Sequence, residues 1–123
     1  MRRRSPKREP LDPCPVEEVL ALIQPKWTAR LLYRLYQGPE HFAALKRSLP
    51  GISSEVLSVR LRSLAAAGLV EGRQERRAGR VVYAATDRGR SLEPVLWSLA
   101  GWGQGELERR GLSWKAPNAL APG

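Results

Sequence analysis

Apolar residues between 42 and 69, FAALKRSLPGISSEVLSVRLRSLAAAGL, recur at helical spacing in two blocks. In the second block Leu57, Leu61 and Leu64 stand at i, i+4 and i+7, which predicts one buried face of a helix over 53–67. Ser53 is a good N-cap, Glu55 suits the positive helix start, and Gly68 suits the stop. The opposite face carries Glu55, Ser58, Val59 and Arg62. The first block, over 42–48, turns Phe42, Leu45 and Leu49 to one side. Leu49-Pro50-Gly51-Ile52 joins the two. Two short helices linked by a Gly-containing turn follow the helix-turn-helix plan, although any helix pair in a small α domain has the same outline.

Upstream, Val16, Val19, Leu20 and Ile23 form one stripe of a helix over 15–23, with Pro15 at its first position and Gln24-Pro25 after it. A second helix over 26–37 carries Trp27, Leu31, Leu32, Tyr33, Leu35 and Tyr36 around most of its circumference. Only Lys26, Arg30 and Arg34 form a polar strip, the pattern of a buried central helix. Gly38-Pro39 ends it. Downstream, short runs over 69–75 and 80–85 flank Arg76-Arg77-Ala78-Gly79 and predict a β-hairpin on which Val81, Tyr83 and Ala85 share a face. From 86 or 87 to 109 the pattern is helical again. Leu92, Val95, Leu96, Leu99 and Leu107 make a stripe, with Trp102 at its edge and Trp97 on the opposite face. Pro94 kinks or resets this helix early. Apolar groups on two faces at a chain end imply a second partner, most simply another subunit.

The expected fold is therefore mainly α with a small β-hairpin, a winged helix-turn-helix with flanking dimerisation helices. It occupies residues 14–109, between a basic arm over 1–13 and a coil tail over 110–123. The arm holds five basic residues, three prolines and, besides Met1, one large apolar side chain, too little apolar surface to order it. It is either a solvated tail or an arm on DNA phosphates.

Charge sharpens this picture. The 123 residues carry a net +9, and the sequence pI is about 10.8, the footprint of a nucleic-acid binder. Arginine dominates, and it binds phosphate bidentately. No apolar run approaches the ~18 residues of a membrane span, so no membrane role is expected. One cysteine allows no internal disulfide, which fits a cytoplasmic protein. His41 is the only histidine and lacks a spaced Cys/His cluster, so it reads as a surface residue, and neither metal nor cofactor is expected. There is no glycine-rich phosphate loop and no nucleophile–base pair at useful spacing, which argues against an enzyme.

The order helix, helix, helix-turn-helix, hairpin, long helix resembles the HxlR-type winged helix-turn-helix transcriptional regulators, cousins of the MarR group. The residues that carry the resemblance are Cys14-Pro15-Val16, Lys26-Trp27-Thr28, Gly38, Phe42 and Leu45, then Pro50-Gly51-Ile52-Ser53, Leu57, Arg60-Leu61-Arg62, Leu64 and Gly68-Leu69-Val70. Tyr83, Thr86, Gly89, Leu92 and Trp102 complete it, over about residues 14–103. The resemblance implies a cytoplasmic homodimer that binds inverted-repeat operator DNA, with the second helix of the motif in the major groove and the wing alongside. It also implies, for some members, a response to electrophiles or oxidants through a cysteine at the position of Cys14. Three departures stand out. Gln24-Pro25 replaces a usual Gly-Gly, Glu55 stands where a basic residue is common, and Val59 where a polar one is common. The last two lie on the reading face, so operator sequences do not transfer from relatives.

On this reading Ser54, Glu55, Ser58, Val59 and Arg62 contact bases, and Arg62 is an alternative phosphate ligand. Arg73, Arg76, Arg77 and Arg80 lie along the backbone as a wing, where an arginine can enter a minor groove. Arg60 borders the buried face and takes a backbone or structural role. Val95, Leu96, Trp97, Leu99 and Trp102 supply the dimer contact. Cys14, at the N-cap of the first helix, is either a thiol switch or a small packing group. A winged-helix module for RNA or a protein partner is the alternative function. The outward face of 53–67 carries no aromatic to stack unpaired bases, which favours duplex DNA.

Overall fold

Three leucines of one helix set the centre of the molecule. The computed structural model describes residues 12–76 and 79–115; the greater part of the basic arm, Arg77 and the tail beyond 115 lie outside them. Helix α1 is Pro15–Ile23 and α2 is Thr28–Tyr36, whose Leu31, Leu32 and Leu35 have no solvent exposure. A short strand β1, Glu40–His41, leads into α3, Phe42–Ser48, and then α4, Ser54–Ala66. Strands β2, Val70–Gln74, and β3, Val81–Ala85, form the hairpin, followed by α5, Asp87–Ser91, and α6, Glu93–Arg109. The fold is mainly α with one antiparallel sheet in the order β1-β3-β2.

The ends of α4 follow from its sequence. The Ser53 hydroxyl accepts from the Val56 N–H at 3.1 Å, capping the start. At the far end Leu69 N–H donates to Leu64 O and Gly68 N–H to Ala65 O, with Gly68 at φ 77°. That Schellman pairing satisfies the last carbonyls and turns the chain into β2. Between these stops Leu57, Leu61 and Leu64 are buried against Leu45, Leu49 and Ile52 in the common core.

Four expectations need correction. The sheet has a third strand, because Glu40 and His41 pair with Tyr83 and Val82. The second helix starts at Thr28 rather than Lys26, since Trp27 adopts a left-handed φ of 82° that breaks helical continuity. The last helix is two, separated at Leu92; Pro94 lies in the first turn of α6, where its missing N–H is no loss. The stripe on α6 is also divided differently. Leu96 is 1% exposed and lies in this chain's own core, with Leu92 and Trp97 packed on it. Val95, Leu99 and Trp102 face solvent at 40, 45 and 74%. Leu96 and Trp97, expected on opposite faces and both in the dimer contact, thus lie on the inward side, Leu96 in the core and Trp97 half-buried against it.

Helix α5 fastens the hairpin back onto the core. Thr86 caps it by accepting from Gly89 N–H, and the same hydroxyl donates to Gly68 O at 2.6 Å. Gly89 lies so close to the residue before β2 that a Cβ there would collide with the Leu69 carbonyl oxygen. The Tyr36 hydroxyl donates to Gly89 O at 2.8 Å, joining α2 to α5. Burial, reinforced by Glu93, pushes the Tyr36 pKa up to about 12, so the hydroxyl keeps its proton.

Candidate nucleic-acid interface

With its leucines buried, α4 presents the other side to solvent. Ser54, Glu55 and Arg62 are exposed, Val59 is 44% exposed, and Ser58 is half-buried. Glu55, Val59 and Arg62 thus lie opposite the buried leucines, Ser58 borders their face, and Ser54 is exposed in the first turn. Arg60 does not share that face. Its Nε donates to the Lys26 carbonyl at 2.7 Å, across 34 residues of chain, and fixes α4 to the turn before α2. The same turn carries Trp27, whose ring lies over Gly51: a Cβ on Gly51 would meet Trp27 Cη2 at 3.6 Å. At φ 100° Gly51 adopts a conformation that side chains avoid, so the α3–α4 turn needs a glycine there. The Lys26 ammonium rests 5.3 Å from the Trp27 ring centroid. Lys26 thus adds a cation beside α4 that sequence spacing gave no means of finding.

The hairpin carries less uncompensated charge than its arginines suggest. Arg73 Nε lies 3.4 Å from Glu71, and Arg80 lies 3.9 Å from Glu75. Glu75 also pairs with His41 Nε2 at 2.9 Å, so the histidine ties β1 to the base of the wing instead of standing alone on the surface. Arg76 is exposed near the tip, and Arg77 lies outside the described residues. Exposed pairs of this kind are worth only about 0–1 kcal/mol, so Arg73 and Arg80 can exchange their carboxylates for phosphate at small cost. Gly79, at φ 65°, donates to Glu75 O, and Gln74 Nε2 donates to Gly79 O at 2.7 Å, closing the turn.

Cys14 occupies the N-cap of α1 in an extended conformation, half-buried, with no side-chain capping bond. The exposed apolar residues Val16 and Leu20 follow it on α1.

A capped helix packed on a shorter helix, with a basic hairpin hung from its end, defines a winged helix-turn-helix. The chain belongs to the HxlR-like helix-turn-helix family, whose profile matches residues 22–111. It is 34% identical over 97 residues to the HTH-type transcriptional regulator YdeP of Bacillus subtilis (strain 168), covering 78% of this chain and 76% of that one. Among solved structures it is similar to a MarR-family transcriptional regulator from Enterococcus faecalis V583, with a TM-score of 0.70, 33% identity, and coverage of 78% of this chain and 88% of that one. It is also similar to the redox regulator HypR in its reduced form, with a TM-score of 0.69, 33% identity, and coverage of 75 and 92%. The protein is an HTH-type transcriptional regulator. Among the described residues no helix is long and apolar enough to cross a membrane.

Proposed function

We propose that the protein binds an inverted-repeat DNA operator as a homodimer and reads bases with the outward face of α4. The observation that carries this reading is the separation of that helix into a buried leucine face and an exposed side with Glu55, Ser58, Val59 and Arg62, beside Ser54 exposed in the first turn. Serine and arginine hydrogen-bond base edges, Val59 suits a thymine methyl, and Glu55 accepts from cytosine N4. The wing arginines Arg73, Arg76 and Arg80 supply phosphate contacts. Val95, Leu99 and Trp102 of α6, with Val16 and Leu20 of α1, offer the exposed apolar surface for a second copy. Two reading helices then meet half-sites about one helical turn apart.

Selection of bound fragments from the host genome tests the operator. The expected result is an enriched inverted repeat whose preferred bases change in Ser58→Ala and Val59→Gln. Identical preferences in the parent and both variants would move base reading off α4.

Cys14 gives this regulator a thiol input. Its support is the N-cap position, partial exposure, and similarity to the redox regulator HypR. A mild oxidant converts the thiol to a sulfenic acid, or to a disulfide with a small thiol or with a second chain. Operator affinity should fall on treatment of the parent and stay constant in Cys14→Ser. Equal responses, or a Cys14 that resists alkylation in the native protein, would leave it as packing.

A further inference from the structure

A cleft of about 820 Å³ opens between α2 and α6, its remaining walls made by the end of α3 and by residues 113–115. No residue of α4, β2 or β3 lines it, so it is separate from the reading face and the wing. Its volume falls in the range of about 300–1,000 Å³ typical of small-molecule sites.

The lining is cationic on two sides. Arg30 and Arg34 stand one turn apart on α2, while Arg110 and Lys115 border the cleft from the C-terminal part of the chain. Arg34 is engaged by Glu40 at 2.6 Å. Among the described residues no carboxylate lies within ion-pair distance of Arg30, Arg110 or Lys115. Glu106 is the one acid in the lining. The same lining holds two aromatic rings, Tyr33 and Trp114, with centroids 6.5 Å apart and planes tilted by 40°. Burial raises the Tyr33 pKa, so its hydroxyl stays neutral beside the arginines.

We propose that this cleft binds an organic dianion with a planar, apolar body. Ring faces attract planar apolar groups by stacking and dispersion, whereas guanidinium groups recognise carboxylate, sulfonate or phosphate oxygens through paired N–H donors. Cations on two separate walls match two anionic groups at opposite ends of one ligand. A one-ring monoanion would leave one wall's cations unanswered and much of the volume to water.

The test uses naphthalene-2,6-dicarboxylate as probe, with 2-naphthoate and the uncharged dimethyl ester as comparisons, read by tryptophan fluorescence and calorimetry on the full chain. The expected result is saturable binding of one dicarboxylate per chain. Loss of one anionic group should weaken it about tenfold, the size of one partly screened charge-assisted hydrogen bond. Arg30→Gln with Arg110→Gln should weaken the dicarboxylate by a similar factor with an unchanged circular dichroism spectrum, because both side chains are exposed. Gly103 lines the cleft, and a Cβ there meets nothing within 4 Å, so Gly103→Leu should block the site while the fold persists. Equal affinity for the dimethyl ester would overturn the proposal. So would binding indifferent to both variants, or no saturable binding at millimolar probe, the result expected if a second copy of the chain covers the cleft.

Discussion

Trp27 holds a backbone conformation that a bulky side chain avoids, at a cost of about 1–3 kcal/mol. Two contacts offset it: the indole covers Gly51, and Arg60 bonds the preceding carbonyl. Both reach into the helix-turn-helix, so the strained residue sets where α4 sits relative to α2. Arg60→Leu should lower stability by about 1 kcal/mol in denaturant unfolding. It should also weaken binding to operator more than to random duplex, because the reading face loses its anchor; an equal loss on both would make Arg60 a plain phosphate ligand. Tyr36 acts at the other end of α2. Tyr36→Phe removes this bond and leaves the Gly89 carbonyl only its Leu92 N–H donor at 3.2 Å, which should cost about 0.5–1.5 kcal/mol at neutral pH. The pH dependence has a defined sign. With a native pKa of about 12 against an ordinary tyrosine value of 10.0, the folded state favours the protonated phenol. Its contribution is complete below pH 10.0 and fades as pH rises toward about 12. Unfolding of Tyr36→Phe should therefore lose less stability across that interval than unfolding of the parent. None of these long-range bonds has a local sequence signature, which is why Trp27 reads as ordinary helix from spacing alone.

At the scale of elements, the helix-turn-helix was legible because its signals are local. Ser53, Leu57, Leu61, Leu64 and Gly68 each act within one turn or one face, and each does in the fold what its position suggests. Strand β1 was not legible: two residues carry no period, and the pairing of Glu40 with Tyr83 is set by the tertiary fold. The orientation of α6 was hidden for a different reason. Apolar side chains occupy more than one side, so the packing partner decides that Leu96 and Trp97 turn inward while Leu99 and Trp102 turn out. The wing arginines were visible as charges, but their carboxylate neighbours Glu71 and Glu75 become relevant only once the strands pair. The wing can be tested by salt. Each neutralised phosphate contributes about −0.9 to the slope of log K against log salt. Arg73→Ala with Arg76→Ala should flatten that slope by about one to two units on all duplexes alike. An unchanged slope would remove the wing from the interface.

For the whole molecule the relevant balance is between the buried core and the apolar surface left uncovered. The core formed by α2, α3, α4 and the sheet is complete within one chain, and Leu96 belongs to it. Among the described residues, besides Val59 on α4 and Val81 on β3, the large apolar side chains left outside are Val16 and Leu20 on α1, Val95, Leu99 and Trp102 on α6, and Leu112 just after it, with Trp102 74% exposed. A large exposed indole beside exposed aliphatics on one helix is apolar surface that a second chain can remove from water, at about 25 cal/mol per Å² buried. The two sets of residues can therefore be separated by mutation. Leu96→Glu places a charge in the core and should unfold the protein, which says nothing about association. Leu99→Glu with Trp102→Glu changes only exposed positions, so the circular dichroism spectrum should match the parent. By sedimentation the parent should be a dimer and the double variant a monomer. The monomer should retain weak, salt-sensitive binding to duplex DNA but lose its preference for two correctly spaced half-sites over one, since a single α4 reads a single half-site. A double variant that sediments as the parent does and keeps the two-site preference would place the subunit contact elsewhere, with the exposed helices α1 and α6 left for another partner.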